Sequence, residues 1–181
     1  MDSLVLAMDR ELERFQSAIG SETDPTMLVL RAHLFSENLL ARLLTFNLPR
    51  GDKVIDSGNL SYHQKLVIVD ALDCVPDAII SSLRNLNKLR NQCAHELNKK
   101  ITDDDIRRVG SPLGQKFTKL TRDAKFDEVS ILHNIIIYVC GFLAGRCHRS
   151  EHPDRTLPKS AKKKAARTSR STRTVRKRAA H

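Results

Sequence analysis

Apolar residues recur at positions 79, 83, 86, 93 and 97 after Pro76, and the one break in that rhythm, position 90, is an arginine. Steps of three and four mark one buried helix face, so the pattern predicts a helix from Pro76 to about Asn98 with Ile79, Leu83, Leu86, Cys93 and Leu97 in its seam. A second stripe, Met27, Leu30, Leu34, Ala41 and Leu44, follows Asp24-Pro25, an N-cap with proline at the first helical position. It predicts a helix from Pro25 to Phe46, and its own break is Glu37. A buried unpaired charge is costly. The two seams therefore predict that these helices pack with Glu37 against Arg90. The alternative is that both seams are out of phase and both charges are solvated.

The rest of the body also reads as helix. Leu4, Met8, Leu12 and Phe15 share a face over Asp2 to Ala18, ended by Gly20 and Ser21. Ser61 and Gln64 form a capping box for a helix ending near Leu72. Thr102 ahead of Asp103, Asp104 and Asp105 starts a short helix that stops at Gly110. A helical piece is expected around Gly114 to Thr121, and a long helix from Asp127 to Cys147. The run Ile135-Ile136-Ile137 is compatible with a strand, but no other strand is available to pair with it. Leu48 to Leu60, rich in Pro, Gly, Asp and Ser, reads as a loop. The expected fold is an all-α antiparallel helical bundle over residues 1–150.

Charge changes the picture after Arg149. Residues 151–181 hold eleven Lys and Arg against Glu151 and Asp154, which is +9 of the chain's +10. The body is close to neutral. Pro153 and Pro158 break structure, and the remainder is almost wholly Lys, Arg, Ala, Ser and Thr, a composition that cannot bury enough apolar surface to offset chain entropy. The expectation is a disordered basic tail that holds RNA or another nucleic acid through Lys162, Lys163, Lys164, Arg167, Arg170, Arg173, Arg176, Lys177 and Arg178.

Composition excludes several classes. The chain has no Trp and 4% aromatic residues, which argues against a base-stacking platform. Cys74, Cys93, Cys140 and Cys147 form no C-x-x-C pair, and Cys140, Cys147, His148 and His152 match no standard zinc spacing, so neither metal nor cofactor is expected. Met1 to Ala7 lacks the pattern of a signal peptide. The longest apolar run, Ile131 to Gly145, is interrupted by His133 and Asn134 and is too short for a bilayer. These features predict a soluble cytoplasmic protein with no membrane partner.

The chemistry sits at Arg90-Asn91-Gln92-Cys93-Ala94-His95. Asn91 and His95 are one helical turn apart on one face, and Arg90 lies toward the seam. Cleavage of RNA by its own 2′-hydroxyl needs a base that titrates near neutral pH and a cation for charge developing on phosphorus; histidine and arginine supply these. The structural alternative is an Arg90 engaged with Glu37 and a His95 with no chemical role. Arg84, Asn87 and Lys88 on the same helix are weaker phosphate-binding candidates. His33 and His63 read as structural.

The segment "LRNLNKLRNQCAHELN" resembles the signature of the HEPN superfamily, an R-x(4–6)-H pattern on a late helix of a small bundle. Arg176 to His181 has the same spacing, but only Arg90 adds the following Asn and the seam position. The stretch "LSYHQKLVIVDAL" with "ITDDDI" is also similar to the mannitol-operon repressor family. The resemblance covers roughly residues 25 to 145. It implies a HEPN-like bundle and a homodimer with the motif helix near the two-fold axis. It also implies a metal-independent endoribonuclease of the toxin or RNA-processing kind, with Arg90, Asn91 and His95 catalytic and Glu37 supporting. The alternative it implies is a non-catalytic regulator or interaction module. An antitoxin or regulatory protein is the further partner expected.

Overall fold

The computed structural model describes residues 3–20, 22–96, 98–124 and 127–152. The tail residues named above, and the expectation of disorder there, lie outside that range. So do Leu97 and the side chains of Leu4, Met8 and Leu12. Among the described residues the chain is all helix: α1 Ser3–Ala18, α2 Pro25–Asn47, α3 Gly51–Gly58, α4 Tyr62–Ala71, α5 Asp77–His95, α6 Asp103–Gly110, a 3-10 turn Ser111–Leu113, α7 Gln115–Asp123 and α8 Glu128–Glu151. Ile135 to Ile137 are helical, as expected.

Local chemistry sets the helix starts. The Asp24 carboxylate accepts from the Met27 N–H at 2.7 Å, and Pro25 opens α2. Ser61 and Gln64 form the reciprocal capping box of α4. Thr102 caps α6 with Asp105 as its reciprocal partner, and Lys99 Nζ donates to the same carboxylate at 2.8 Å. α1 ends at Ala18, and the chain turns at Gly20, whose φ of +43° suits glycine.

Two expectations need correction. Leu48 to Leu60 is not a loop throughout, because α3 lies inside it. Its glycine-flanked sequence GDKVIDSG has too few apolar residues to show a periodicity. The second correction concerns α2. Its buried residues are Leu28, Val29, Ala32, His33, Ser36, Leu39, Leu40, Leu43 and Leu44, whereas Met27 is 41% and Leu34 63% exposed. α2 is apolar on nearly every side, so more than one stripe fits its sequence. The face that packs inward carries the small residues Ala32 and Ser36, where α4 and α5 approach.

The core joins that face of α2 to Ile79, Ile80, Leu83, Leu86 and Leu89 of α5 and to Ile131, Leu132, Ile135, Ile136, Val139, Cys140 and Leu143 of α8. α5 ends at His95, short of the expected Asn98, and α8 extends past the expected Cys147. At 24 residues α8 is long and apolar enough, by length and composition, to cross a membrane, which the interrupted run Ile131 to Gly145 did not suggest. Here it packs on α2 through Cys147 Sγ, 3.3 Å from the Leu39 carbonyl, and on α7 through Lys116 over the Tyr138 ring.

Candidate functional site

Arg90, Asn91 and His95 occupy the last turns of α5, beyond its last buried leucine. Leu86 and Leu89 are buried, Arg90 is half-buried, and Asn91 and His95 are exposed. The structure thus brings the three motif residues onto one projecting helix end. The Arg90 guanidinium donates from Nη1 to Asn91 Oδ1 at 3.2 Å. His95 closes the helix, and the next N–H, of Glu96, bonds back to the Gln92 carbonyl at 2.9 Å. Glu96 itself is exposed.

Glu37 does not meet Arg90. Its carboxylate accepts from Lys65 Nζ of α4 at 2.8 Å in a largely buried pair, and Arg90 forms no ion pair among the described residues. Arg90 does interrupt the α5 seam, but the α2 stripe that Glu37 interrupts faces outward, and α4 supplies the countercharge for Glu37. Arg90 lies on the seam side of α5 beyond its last fully buried leucine, Leu89, and is half-buried, so its head can stay in water while its stem packs.

One turn before Arg90 lies a polar junction that sequence spacing does not reveal. His33 of α2 is 4% exposed and donates from Nε2 to Asn87 Oδ1 of α5 at 3.0 Å. Its ring stacks on Tyr62 of α4, with centroids 4.1 Å apart and planes 25° from parallel. Ser36 Oγ donates to the His33 carbonyl at 2.9 Å, so its contact with the Tyr62 hydroxyl at 3.1 Å is a bond that the tyrosine donates. The His33 Nδ1 atom is buried with no partner. Burial holds the His33 pKa below its usual 6.5, and the nearby Arg90 and Lys65 charges act the same way against Asn87 and Glu37. Burial likewise raises the Tyr62 hydroxyl. His33 is therefore structural, as expected from sequence, and it ties α2 to the helix that carries the motif. His63 is exposed on α4.

The remaining candidates divide by partner. Arg84 donates to Asp70 at 2.6 Å, and Asn85 to the Arg108 carbonyl at 2.6 Å, so both brace neighbouring helices. Lys88 is exposed. Burial raises the Cys74, Cys93 and Cys140 thiols, and pushes the buried Cys140 up to about 12. None is set up as a nucleophile. Two open hollows on the body surface are lined by other residues than the motif: one along α7 by Gln115, Thr118, Lys119 and Arg122, and one between α1 and α2 by Arg10, Arg14, Phe35 and Asn38.

No family model, curated protein or solved structure matches the chain.

Proposed function

We propose that the protein is a HEPN-like, metal-independent endoribonuclease that works as a homodimer, with Arg90, Asn91 and His95 as its reacting groups and the basic tail holding RNA nearby. The observation that carries this reading is the release of Arg90 from the expected pairing. Because Glu37 is engaged by Lys65, the guanidinium has no ion-pair partner among the described residues and bonds Asn91, on the same helix end as the exposed His95. In the reaction His95 removes the 2′-hydroxyl proton and the 2′-oxygen bonds to phosphorus. Arg90 stabilises the added negative charge. The bond from phosphorus to the 5′-oxygen breaks, and that oxygen takes a proton from water. The products are a 2′,3′-cyclic phosphate and a 5′-hydroxyl.

The test is purified wild type against His95→Ala on total RNA in EDTA, with end-group analysis. The expected result is cyclic-phosphate ends from wild type and a loss of at least about 100-fold in rate for the variant, the usual scale of a general base. Equal degradation by both proteins rejects the assignment.

A second reading is a non-catalytic regulator similar to the mannitol-operon repressor family, in which the helical body binds a protein and the tail binds nucleic acid. It is favoured by the lack of any hydrogen bond that orients the His95 ring among the described residues. Nucleic-acid binding without cleavage on every RNA tried selects this reading.

A further inference from the structure

The outer face of α2 leaves apolar side chains uncovered. Met27 and Leu34 are exposed, Leu30 and Ala41 are half-buried, and all four lie on the side opposite the core-facing residues. A helix that is apolar all round belongs in an interior. α2 packs against α1, α3, α4 and α5, and this face is the part they leave open.

Most residues of this ridge pair about Leu34, the exception being Leu30, whose counterpart four after is the exposed Asn38. Met27 stands seven residues before it and Ala41 seven after, and Arg31 stands three before and Glu37 three after. When two copies of a helix pack antiparallel across a two-fold axis through one residue, each position before it meets the position equally far after it on the other copy. Leu34 then meets Leu34, the large Met27 meets the small Ala41, and Arg31 meets Glu37. Within each protomer Arg31 lies 3.4 Å from Glu22, and Glu37 lies 2.8 Å from Lys65. Across the axis the charges would alternate, Glu22, Arg31, Glu37, Lys65, with no like pair in contact.

We infer that this face of α2 is a self-association surface, occupied by α2 of a second copy of the chain in antiparallel register about Leu34. The inference rests on the homodimer of the proposed function and supplies its interface, with α2 rather than α5 at the axis. It needs no catalytic step. His33, next to Leu34, bonds Asn87 on α5, so the helix that carries the motif lies directly behind the interface helix. The contact extends about 21 Å along α2, from the helical rise over fourteen residues. That is small for a stable interface, so dissociation in the micromolar range is expected.

The experiment is sedimentation velocity of the full chain at tens of micromolar. Wild type is expected to be dimeric. Leu34→Glu places two carboxylates on the axis and should weaken association at least about 30-fold, the loss expected of a central anchor. Arg31→Glu and Glu37→Lys should each weaken it, and an equimolar mixture of those two variants should recover the dimer, because both cross-axis pairs become attractive. Should Glu37→Lys not fold, Leu34→Cys decides: mild oxidation should cross-link this variant and not wild type. A monomeric wild type, a Leu34→Glu dimer, or no cross-link at position 34 overturns the inference. RNA cleavage is read separately. A dimer that does not cleave rejects the reaction and leaves the interface standing.

Discussion

His33 and His95 sit on helices that touch, yet their environments are opposite. His33 is enclosed by α2, α4 and α5, stacked on Tyr62 and bonded to Asn87. His95 stands exposed on the final turn of α5, beyond the last buried leucine. The first histidine is well ordered by its neighbours and shielded from any substrate; the second is accessible and held by its helix alone. Arg90 lies between them. Its charge reaches inward to His33, and its guanidinium turns outward to Asn91. The same helix thus performs two jobs in sequence, fastening the bundle up to Asn87 and presenting polar groups after it.

Removing the fastening should have the largest effect on stability. Asn87→Leu leaves Nε2 of His33 as partnerless as Nδ1 already is, and should lower unfolding free energy by about 2 kcal/mol. His95→Ala should stay within about 0.5 kcal/mol of wild type. Urea denaturation of both variants measures the contrast, and equal effects would erase the distinction between the two regions.

Acid provides a milder probe. The folded pKa of His33 is depressed, so the unfolded chain binds this proton more readily than the folded one. The stability that neutral His33 contributes is fully present above the unfolded value of 6.5 and is lost as pH falls from there to the lower folded value. His33→Gln, which keeps a donor for Asn87, should remove that part of the pH dependence. Asp105 acts in a different window. Although burial opposes it, the bonds from Lys99 and Thr102 hold its carboxyl below 3.8, so its contribution is lost only at lower pH. The smallest expected change joins the two regions: Arg90→Ala should raise the His33 pKa, by removing a cation that depresses it, while stability moves by no more than about 0.5 kcal/mol. An NMR titration of the His33 ring reads this directly. An unchanged midpoint would mean that the inward reach of Arg90 is absent.

Much of this arrangement was legible in the chain before any coordinates. Capping residues act locally, so Asp24, Ser61 and Thr102 marked their helix starts correctly. The seam of α5 was legible because its opposite face is polar, with Arg84, Lys88, Asn91 and His95 breaking any competing stripe. α2 lacks such contrast, and its apparent stripe through Met27, Leu30 and Leu34 turned out to face outward. The partner of Glu37 was missed for a related reason. Charges in two seams suggest each other, but pairing depends on which third helix packs beside them, and Lys65 comes from α4. The Asn87 bond to His33 spans 54 positions and leaves no periodic trace.

Gly51 limits how this sequence can diverge. α3 begins where the chain folds back on the end of α2, and a Cβ at Gly51 would overlap the Leu44 carbonyl oxygen and the Thr45 backbone. Descendants that keep this corner must keep glycine at 51, however far the rest of α3 drifts. Gly141 and Gly145 face open space on α8 and carry no such obligation. Alanine there would favour the helix by about 1 kcal/mol. Across a lineage, therefore, Gly51 is expected to persist, as is Gly20 with its positive φ, and the two inside α8 are free to disappear.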